Sequence, residues 1–382
     1  MDSKFLRVND TSIDWESRDS HFFFNIRHPQ FNQWQELVKH LPFFPGCLYL
    51  FTSSYKKIAI LPKESFLISA RAVNQHLRCT EKDRWLVVLP FTHTGGLSIL
   101  ARSFCGSYSS FKGPEIWNPK TFLDVLKEKK MTLCSLVPAQ VYDLVKNRLS
   151  APPTLRAVVV GGGALSPSLY TKARELKWPL LPSYGLTELC SQVATASLSS
   201  LENSFFPELK ILPHTQLKVK KGTLHIQSKA LLKGYFDLEK KKFWDPKSSE
   251  GWFDTGDIGK VEGENLTVKG RKDNQIKILG ELTDLTELSH QLESLVFDLT
   301  LTDQFILIPV SNERKGWDLQ IVTTSFNEQD ILKVIRKFNK TVAPFQRVKT
   351  VYSVEKLPET DILKPSLDQI KKQIRLKYTN SV

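Results

Sequence analysis

Apolar positions along the chain gather into short runs separated by stretches of helical spacing. Cys47 to Thr52, Asp83 to Leu89, Thr132 to Val137, Ala157 to Val160 and the run Trp178, Pro179, Leu180, Leu181 read as strands, being apolar on both faces and too short for buried helices. Between and after them, Ser65 to Leu77, Lys120 to Lys130, Ala139 to Lys146 and a segment opened by Pro167 carry the spacing of helices. Such alternation predicts parallel β-α-β units. From Leu209 to Phe236 the runs shorten, with turns expected at Lys221-Gly222 and Gly234, and a β-rich subdomain is predicted. Asn265 to Val268 reads as a strand. Beyond about Asp273 the pattern resets into helix Asp284 to Val296, strands Phe305 to Val310 and Leu319 to Thr323, helix Glu328 to Asn339, strand Val348 to Val354 and a basic helix Ser366 to Arg375. The expectation is an α/β chain: a large N-terminal body over 1–272, made of parallel β-α-β layers plus the β-rich subdomain, and a small mobile α/β C-terminal domain over 273–382. Near the start, Phe31, Trp34, Leu37 and Val38 predict one amphipathic helix ended by Pro42, with Phe22, Phe23, Phe24, Phe43 and Phe44 as core.

Composition narrows the class. Hydrophobic residues make up 41% and charged residues 24%, which excludes a disordered chain. Fifty-three Lys and Arg against 40 Asp and Glu give a net charge of +13, so the surface should attract anions such as nucleotides, coenzyme A, nucleic acid or an acidic membrane face, or is simply a solvated basic surface. The charge is dispersed and no interleaved basic and aromatic pattern occurs, so nucleic acid is not an expected partner. Cys47, Cys79, Cys105, Cys134 and Cys190 are odd in number and widely spaced, which disfavours disulfides and zinc and points to a reducing cytoplasm. Met1 to Asp19 is polar and lacks the apolar core of a secretory signal. Runs such as Trp85 to Leu89 are far shorter than the roughly 20 residues needed to span a bilayer. A homo-oligomer is compatible with all of this.

Candidate chemistry lies where strands end. Pro182-Ser183-Tyr184-Gly185-Leu186-Thr187-Glu188 sets a flat ring, a hydroxyl and a carboxylate within a few residues, which suits an aromatic base, a phosphate and a divalent metal; Gly185 is expected to make the turn. Thr52, Ser53, Ser54, Tyr55, Lys56 and Lys57 offer hydroxyls and lysines to phosphate, without a glycine. In Pro90 to Leu97, Gly95 and Gly96 would let backbone approach a ligand whose polar end His93 caps. Gly161, Gly162, Gly163 and Ala164 permit a flat group to lie on bare backbone. Asp257, on an expected tight loop within Gly251 to Gly259, could accept both hydroxyls of a ribose. Gly270-Arg271-Lys272-Asp273 follows a strand, and Leu357 to Lys364 ends in a lysine able to act as a mobile point charge. Singly, each also reads as an ordinary turn.

Taken in order, these motifs resemble those of the AMP-forming adenylate-forming enzymes, the acyl-CoA synthetase and luciferase superfamily. The matching positions are Tyr184-Gly185-Leu186-Thr187-Glu188, Gly251-Trp252-Phe253 with Thr255-Gly256-Asp257, Gly270-Arg271-Lys272-Asp273 with Ile276-Lys277 and Gly280-Glu281, and Leu357-Pro358 through Lys364. Leu89 to Ser98 looks most like the o-succinylbenzoate:CoA ligases of menaquinone synthesis. The resemblance implies that Gly162, Gly163 and Ala164 line an adenine with Tyr184 stacked on it and Gly185 beside it. It implies that Thr187 and the loop residues Thr52, Ser53, Ser54 and Lys57 hold phosphate, that Glu188 holds Mg2+, and that Asp257 and Arg271 grip the ribose. Asp273 would be the hinge and Lys364 the adenylation lysine, while His93, Gly95, Gly96 and Leu97 would shape the acyl pocket. The expected co-substrates are ATP, an aryl or acyl carboxylate and coenzyme A. Three departures stand out: no glycine in Thr52 to Lys57, Leu363 and Leu367 in place of a glycine and an arginine around Lys364, and a shortened stretch before the first motif. They keep open a different reading, a non-catalytic protein that binds AMP or an acyl-adenylate, as well as a ligase for another acid.

Overall fold

The alternating segments assemble on a nine-stranded sheet whose parallel half runs, in spatial order, Ser109–Lys112, Arg84–Val87, Leu133–Leu136, Ala157–Val160 and Leu180–Leu186. The coordinates are a computed structural model, describing residues 5–6, 12–24, 41–52, 56–360 and 365–378, of which 5–6 and 375–378 as backbone only. The strand runs are apolar on both faces because both faces are covered. Cys134, Leu136, Val158, Val160 and Leu180 point to a layer made by the helices Pro119–Glu128, Pro138–Lys146 and Pro167–Glu175, packed around Phe122 and Trp178. Leu133, Ala157, Val159 and Leu181, their neighbours in sequence, point the other way, onto Val73 of the helix Lys63–His76 and Ile99 of the helix Thr94–Gly106. The strict alternation is the pleat made visible. Helix starts are marked in the sequence: Asn118 accepts from the amides of Lys120 and Thr121 ahead of Pro119, and Ser166 accepts from that of Leu169 ahead of Pro167.

At Leu180–Leu186 the sheet changes sense. Ser191–Thr195 returns antiparallel, followed outward by Leu209–Ile211, Asn265–Arg271 and Asp257–Glu262. The β-rich subdomain is present: Gln216–Lys220, Thr223–Gln227 and Phe253–Asp254 form one small sheet, with left-handed φ at both Lys221 and Gly222 in the hairpin turn. A six-stranded sheet joins Ser20–Phe23, Cys47–Phe51 and Lys57–Pro62 to Gly234–Asp237 and Lys242–Trp244, with Phe5–Leu6 at its edge. Gly234 is therefore inside a strand and not at the expected turn. A Cβ there would lie 2.5 Å from the Trp244 carbonyl oxygen, so the glycine serves close strand approach.

Lys272–Asn274, a single tight turn, leads from the long antiparallel hairpin into the C-terminal segments. These form a two-stranded ribbon, Gln275–Ile278 with Glu281–Asp284, and a sheet of Phe305–Asn312, Gly316–Thr323 and Thr350–Ser353, with helices Leu285–Asp298 and Glu328–Thr341. They enclose their own core around Ile278, Leu292, Ile321 and Phe338. The helix Leu285–Asp298 rests on the body through Phe297, whose ring centroid is 5.3 Å from that of Tyr142. The helix expected over Phe31 to Val38 lies outside the described residues. Among the described residues no helix is long and apolar enough to cross a membrane.

Candidate active site

Tyr184 lies in Leu180–Leu186, the last parallel strand before the sheet turns antiparallel, and its hydroxyl donates to Asp257 Oδ2 at 2.5 Å. Burial first, and then the Asp257 carboxylate beside it, push the Tyr184 phenol far above its ordinary range, so it stays a donor. Asp257 opens the strand Asp257–Glu262 and is itself buried, held by its amide donating to Thr255 Oγ1 at 3.0 Å. The tight loop expected within Gly251 to Gly259 is thus reduced at this point to Thr255 and Gly256, between the strands Phe253–Asp254 and Asp257–Glu262, and Asp257 is a strand residue. Burial raises the Asp257 carboxyl, while the Tyr184 hydrogen bond and the Arg271 charge act against that rise. Arg271 stands directly across the ladder from Asp257, with Nη1 3.6 Å from Oδ1, and its Nη2 is 3.8 Å from Asp273 Oδ2.

Glu188 lies in the short turn Thr187–Leu189 that joins Leu180–Leu186 to Ser191–Thr195. The expected turn at Gly185 is displaced to this point. Gly185 sits within the strand, where a Cβ would come 1.9 Å from the Ser191 carbonyl oxygen, so it permits two strands to touch and does not bend the chain. Two contacts hold Glu188: its carbonyl accepts from the Leu232 amide at 2.7 Å, and Oε1 accepts from the Tyr235 hydroxyl. Burial, followed by the Glu188 charge, raises the Tyr235 phenol far above its usual range. The Arg271 charge acts on Tyr235 as well as on Tyr184, so the two tyrosine-carboxylate pairs share one neighbourhood. Sequence reasoning missed Tyr235. The one available signal was an aromatic hydroxyl beside Gly234 in a strand.

Lys57 reaches the same place. Its Nζ lies 5.3 Å from the Tyr235 ring centroid and 4.9 Å from that of Trp244. Thr52 does not open a cradle: its amide donates to the Lys57 carbonyl at 2.9 Å and its hydroxyl to the same oxygen at 3.2 Å, closing a short hairpin. Ser53, Ser54 and Lys364 lie outside the described residues. Gly162, Gly163 and Ala164 follow the strand Ala157–Val160 and are exposed, Gly162 with φ +76°. Gly161 comes near Ser183, one residue before Tyr184, which places this bare loop beside the tyrosine strand.

His93 caps the helix Thr94–Gly106, where a loop was expected to run through Leu97. Gly96 is in the first turn, and a Cβ on it would meet the Pro90 carbonyl oxygen at 2.5 Å. Close helix-to-loop packing, rather than ligand approach, accounts for that glycine. A Cβ on Gly95 would be 3.0 Å from the Leu89 side chain, and Leu97 is fully buried in the core. A groove of about 950 Å3, lined by His76, Arg78, Glu202, Lys210, Thr215 and Glu264 among others, lies by the strand Leu209–Ile211 and the far end of Asp257–Glu262 and includes none of the motif residues.

Among the described residues no three His, Cys, Asp or Glu side chains come together to cage a metal. The oxygen donors of Glu188 and Thr187 nevertheless fit Mg2+, which keeps most of its water and takes one or two carboxylates beside phosphate.

Residues 52–236 match the AMP-binding enzyme family. The 2-succinylbenzoate-CoA ligase of Staphylococcus epidermidis is 28% identical over 316 residues, covering 80% of this chain and 65% of that protein. The ligase of the same name from Listeria monocytogenes is 29% identical over 318 residues, covering 81% of this chain and 65% of that protein. The chain thus spans slightly under two thirds of the length of these curated relatives. Among solved structures, the Bacillus subtilis o-succinylbenzoate coenzyme A synthetase (MenE) in complex with ATP and magnesium superposes with a TM-score of 0.70 at 20% identity, over 92% of this chain and 79% of the other. ATP-bound MatB from Rhodopseudomonas palustris gives 0.73 at 19% identity, over 87% and 68%. These structures share the fold described above, and the stretch that matches the AMP-binding enzyme family, residues 52–236, covers slightly under half of this α/β chain.

Proposed function

We propose that the protein is an ATP-dependent acid-thiol ligase that adenylates an aryl carboxylate, o-succinylbenzoate in the first instance, and passes the acyl group to coenzyme A. The observation that carries this reading is the meeting of Tyr184, Asp257 and Arg271, far apart in sequence, with the Thr187–Glu188 turn alongside. In it, the Tyr184 ring and the exposed Gly162 to Ala164 backbone bracket an adenine. Asp257 exchanges its tyrosine hydrogen bond for the ribose hydroxyls, and Arg271 keeps that acid charged. Thr187 donates to phosphate oxygen, and Glu188 would hold Mg2+, which would supply positive charge to the phosphates. The substrate carboxylate attacks the α-phosphorus and pyrophosphate leaves. The thiol of coenzyme A then attacks the acyl carbon of the mixed anhydride, and AMP departs with the bond electrons. Two steps are needed because a carboxylate is a poor acceptor for a thiol, whereas an acyl-adenylate carries a good leaving group. Lys364 serves the first step, and rotation at Asp273 exchanges the C-terminal face presented to the nucleotide.

The location belonging to this reading is the cytoplasm, supported by five free cysteines. Incubation with ATP, Mg2+, coenzyme A and o-succinylbenzoate tests the proposal: AMP and a thioester are the expected products. Absence of both, and of pyrophosphate exchange with every aryl acid tried, removes it. The closed Thr52–Lys57 hairpin favours a second reading, a binder of AMP or acyl-adenylate without turnover. Tight AMP binding by calorimetry with no ATP consumption selects that one.

A further inference from the structure

Glycine-rich loops hold phosphate through many backbone amides at once. Here the Thr52 amide donates to the Lys57 carbonyl. The pleat then decides where the Lys57 side chain goes. Tyr235 pairs with Ala59 across one ladder and with Trp244 across the next, and Lys57 is two residues from Ala59, so Lys57, Tyr235 and Trp244 share one face of the six-stranded sheet. The Tyr235 and Trp244 rings are 5.0 Å apart between centroids, and the ammonium lies against both. Among the described residues no carboxylate is within ion-pair distance of Lys57. A cation held by ring faces keeps its charge available to a further anion. At the far end of the Tyr235 ring, the hydroxyl donates to Glu188 Oε1.

We propose that Tyr235 and Trp244 are positioning residues for the phosphate end of the nucleotide: Tyr235 orients the Glu188 carboxylate, and the two rings together aim Lys57 at the β- and γ-phosphates. The aromatic seat gives the lysine a fixed place from which to meet phosphate. This rests on the reading above, in that it takes the ligand to be ATP with its metal.

Calorimetry on the intact protein separates the contributions, using AMP, ATP alone and ATP with Mg2+. Lys57→Met and Trp244→Leu are expected to weaken ATP about tenfold, the scale of one lost contact to a charged group, and to leave AMP unchanged. Trp244→Phe, which keeps a ring face, restores most of the ATP affinity. Tyr235→Phe keeps the seat and loses the hydroxyl, so it leaves ATP alone unchanged and removes most of the gain that Mg2+ brings. Equal weakening of AMP and ATP in these variants would show a general packing role and overturn the inference, as would wild-type ATP affinity in all of them. Wild-type protein that binds none of the three nucleotides overturns the ligase reading itself, a distinct result from either.

Discussion

The Tyr184 hydroxyl and the Asp257 carboxylate are hydrogen-bonded to each other at 2.5 Å, so the ring proposed to carry the adenine also occupies the acid proposed to receive the ribose. A nucleotide must break this bond to use both groups, and the pH dependence of binding follows. Burial raises the Asp257 carboxyl, and Tyr184 and Arg271 oppose the rise. Only the carboxylate can accept two hydroxyls, so AMP binding weakens as pH falls through the Asp257 value. Tyr184→Phe and Arg271→Gln each remove an opposing influence and move this acid limb to higher pH. Titration of AMP affinity by calorimetry between about pH 4 and 8 checks the direction. A limb that moves downward contradicts it.

Gly185 and Gly222 distinguish two reasons for glycine. Gly185→Ala forces a Cβ to 1.9 Å from the Ser191 carbonyl oxygen and should cost about 3 kcal/mol or more, since backbone cannot step aside. Gly222→Ala meets nothing within 4 Å but keeps φ at +82°, and should cost about 1 kcal/mol. Denaturant midpoints of the two variants give the comparison.

Asp83, buried at the start of the strand Arg84–Val87, accepts from Arg156 Nε at 2.7 Å and Nη2 at 2.8 Å, from the Thr132 hydroxyl at 2.7 Å and from the Thr80 amide at 2.8 Å. Burial alone would raise its carboxyl, but these donors outweigh it and hold the group below its usual value. A carboxyl depressed by folding contributes stability that is complete above the unfolded range, about pH 4, and is lost as pH falls through the folded value. Asp83→Asn should therefore cost about 3 kcal/mol at neutral pH. The difference from wild type should shrink below about pH 4.

Lys364→Ala is expected to lower carboxylate-dependent pyrophosphate exchange by about a hundredfold or more, the usual scale for one lost electrostatic contact in a transition state. Thioester formation from supplied acyl-adenylate should persist. Equal loss in both half-reactions would contradict its assignment to the first step.

The strands of the parallel layer were legible because residues such as Ala157 to Val160 are apolar on both faces and end in glycines. The C-terminal segments were legible for a related reason, a clear change of period after Asp273. The helix Thr94–Gly106 was not, because its Thr-Gly-Gly opening has poor helix propensity and is explained only by contact with the Pro90 carbonyl. Tyr235 and Trp244 were hidden because Tyr235 reaches Glu188 from another sheet, and both rings meet Lys57 only through the pairing of strands far apart in sequence, which no local pattern encodes. Asp257 and Arg271 were each noticed, yet their placement opposite one another depends on ladder register.

Arg271 ends the last long strand of the body, and Asp273 follows within the turn that begins the C-terminal segments, its side chain 85% exposed. One guanidinium therefore lies between a fixed, interior acid and a free, exterior one. Whatever neutralises or displaces Asp257 alters the pull that remains for Asp273, two residues along the same backbone. If Asp257 receives a ribose as proposed, the turn that opens the C-terminal segments thus carries a charge that responds to where the sugar sits.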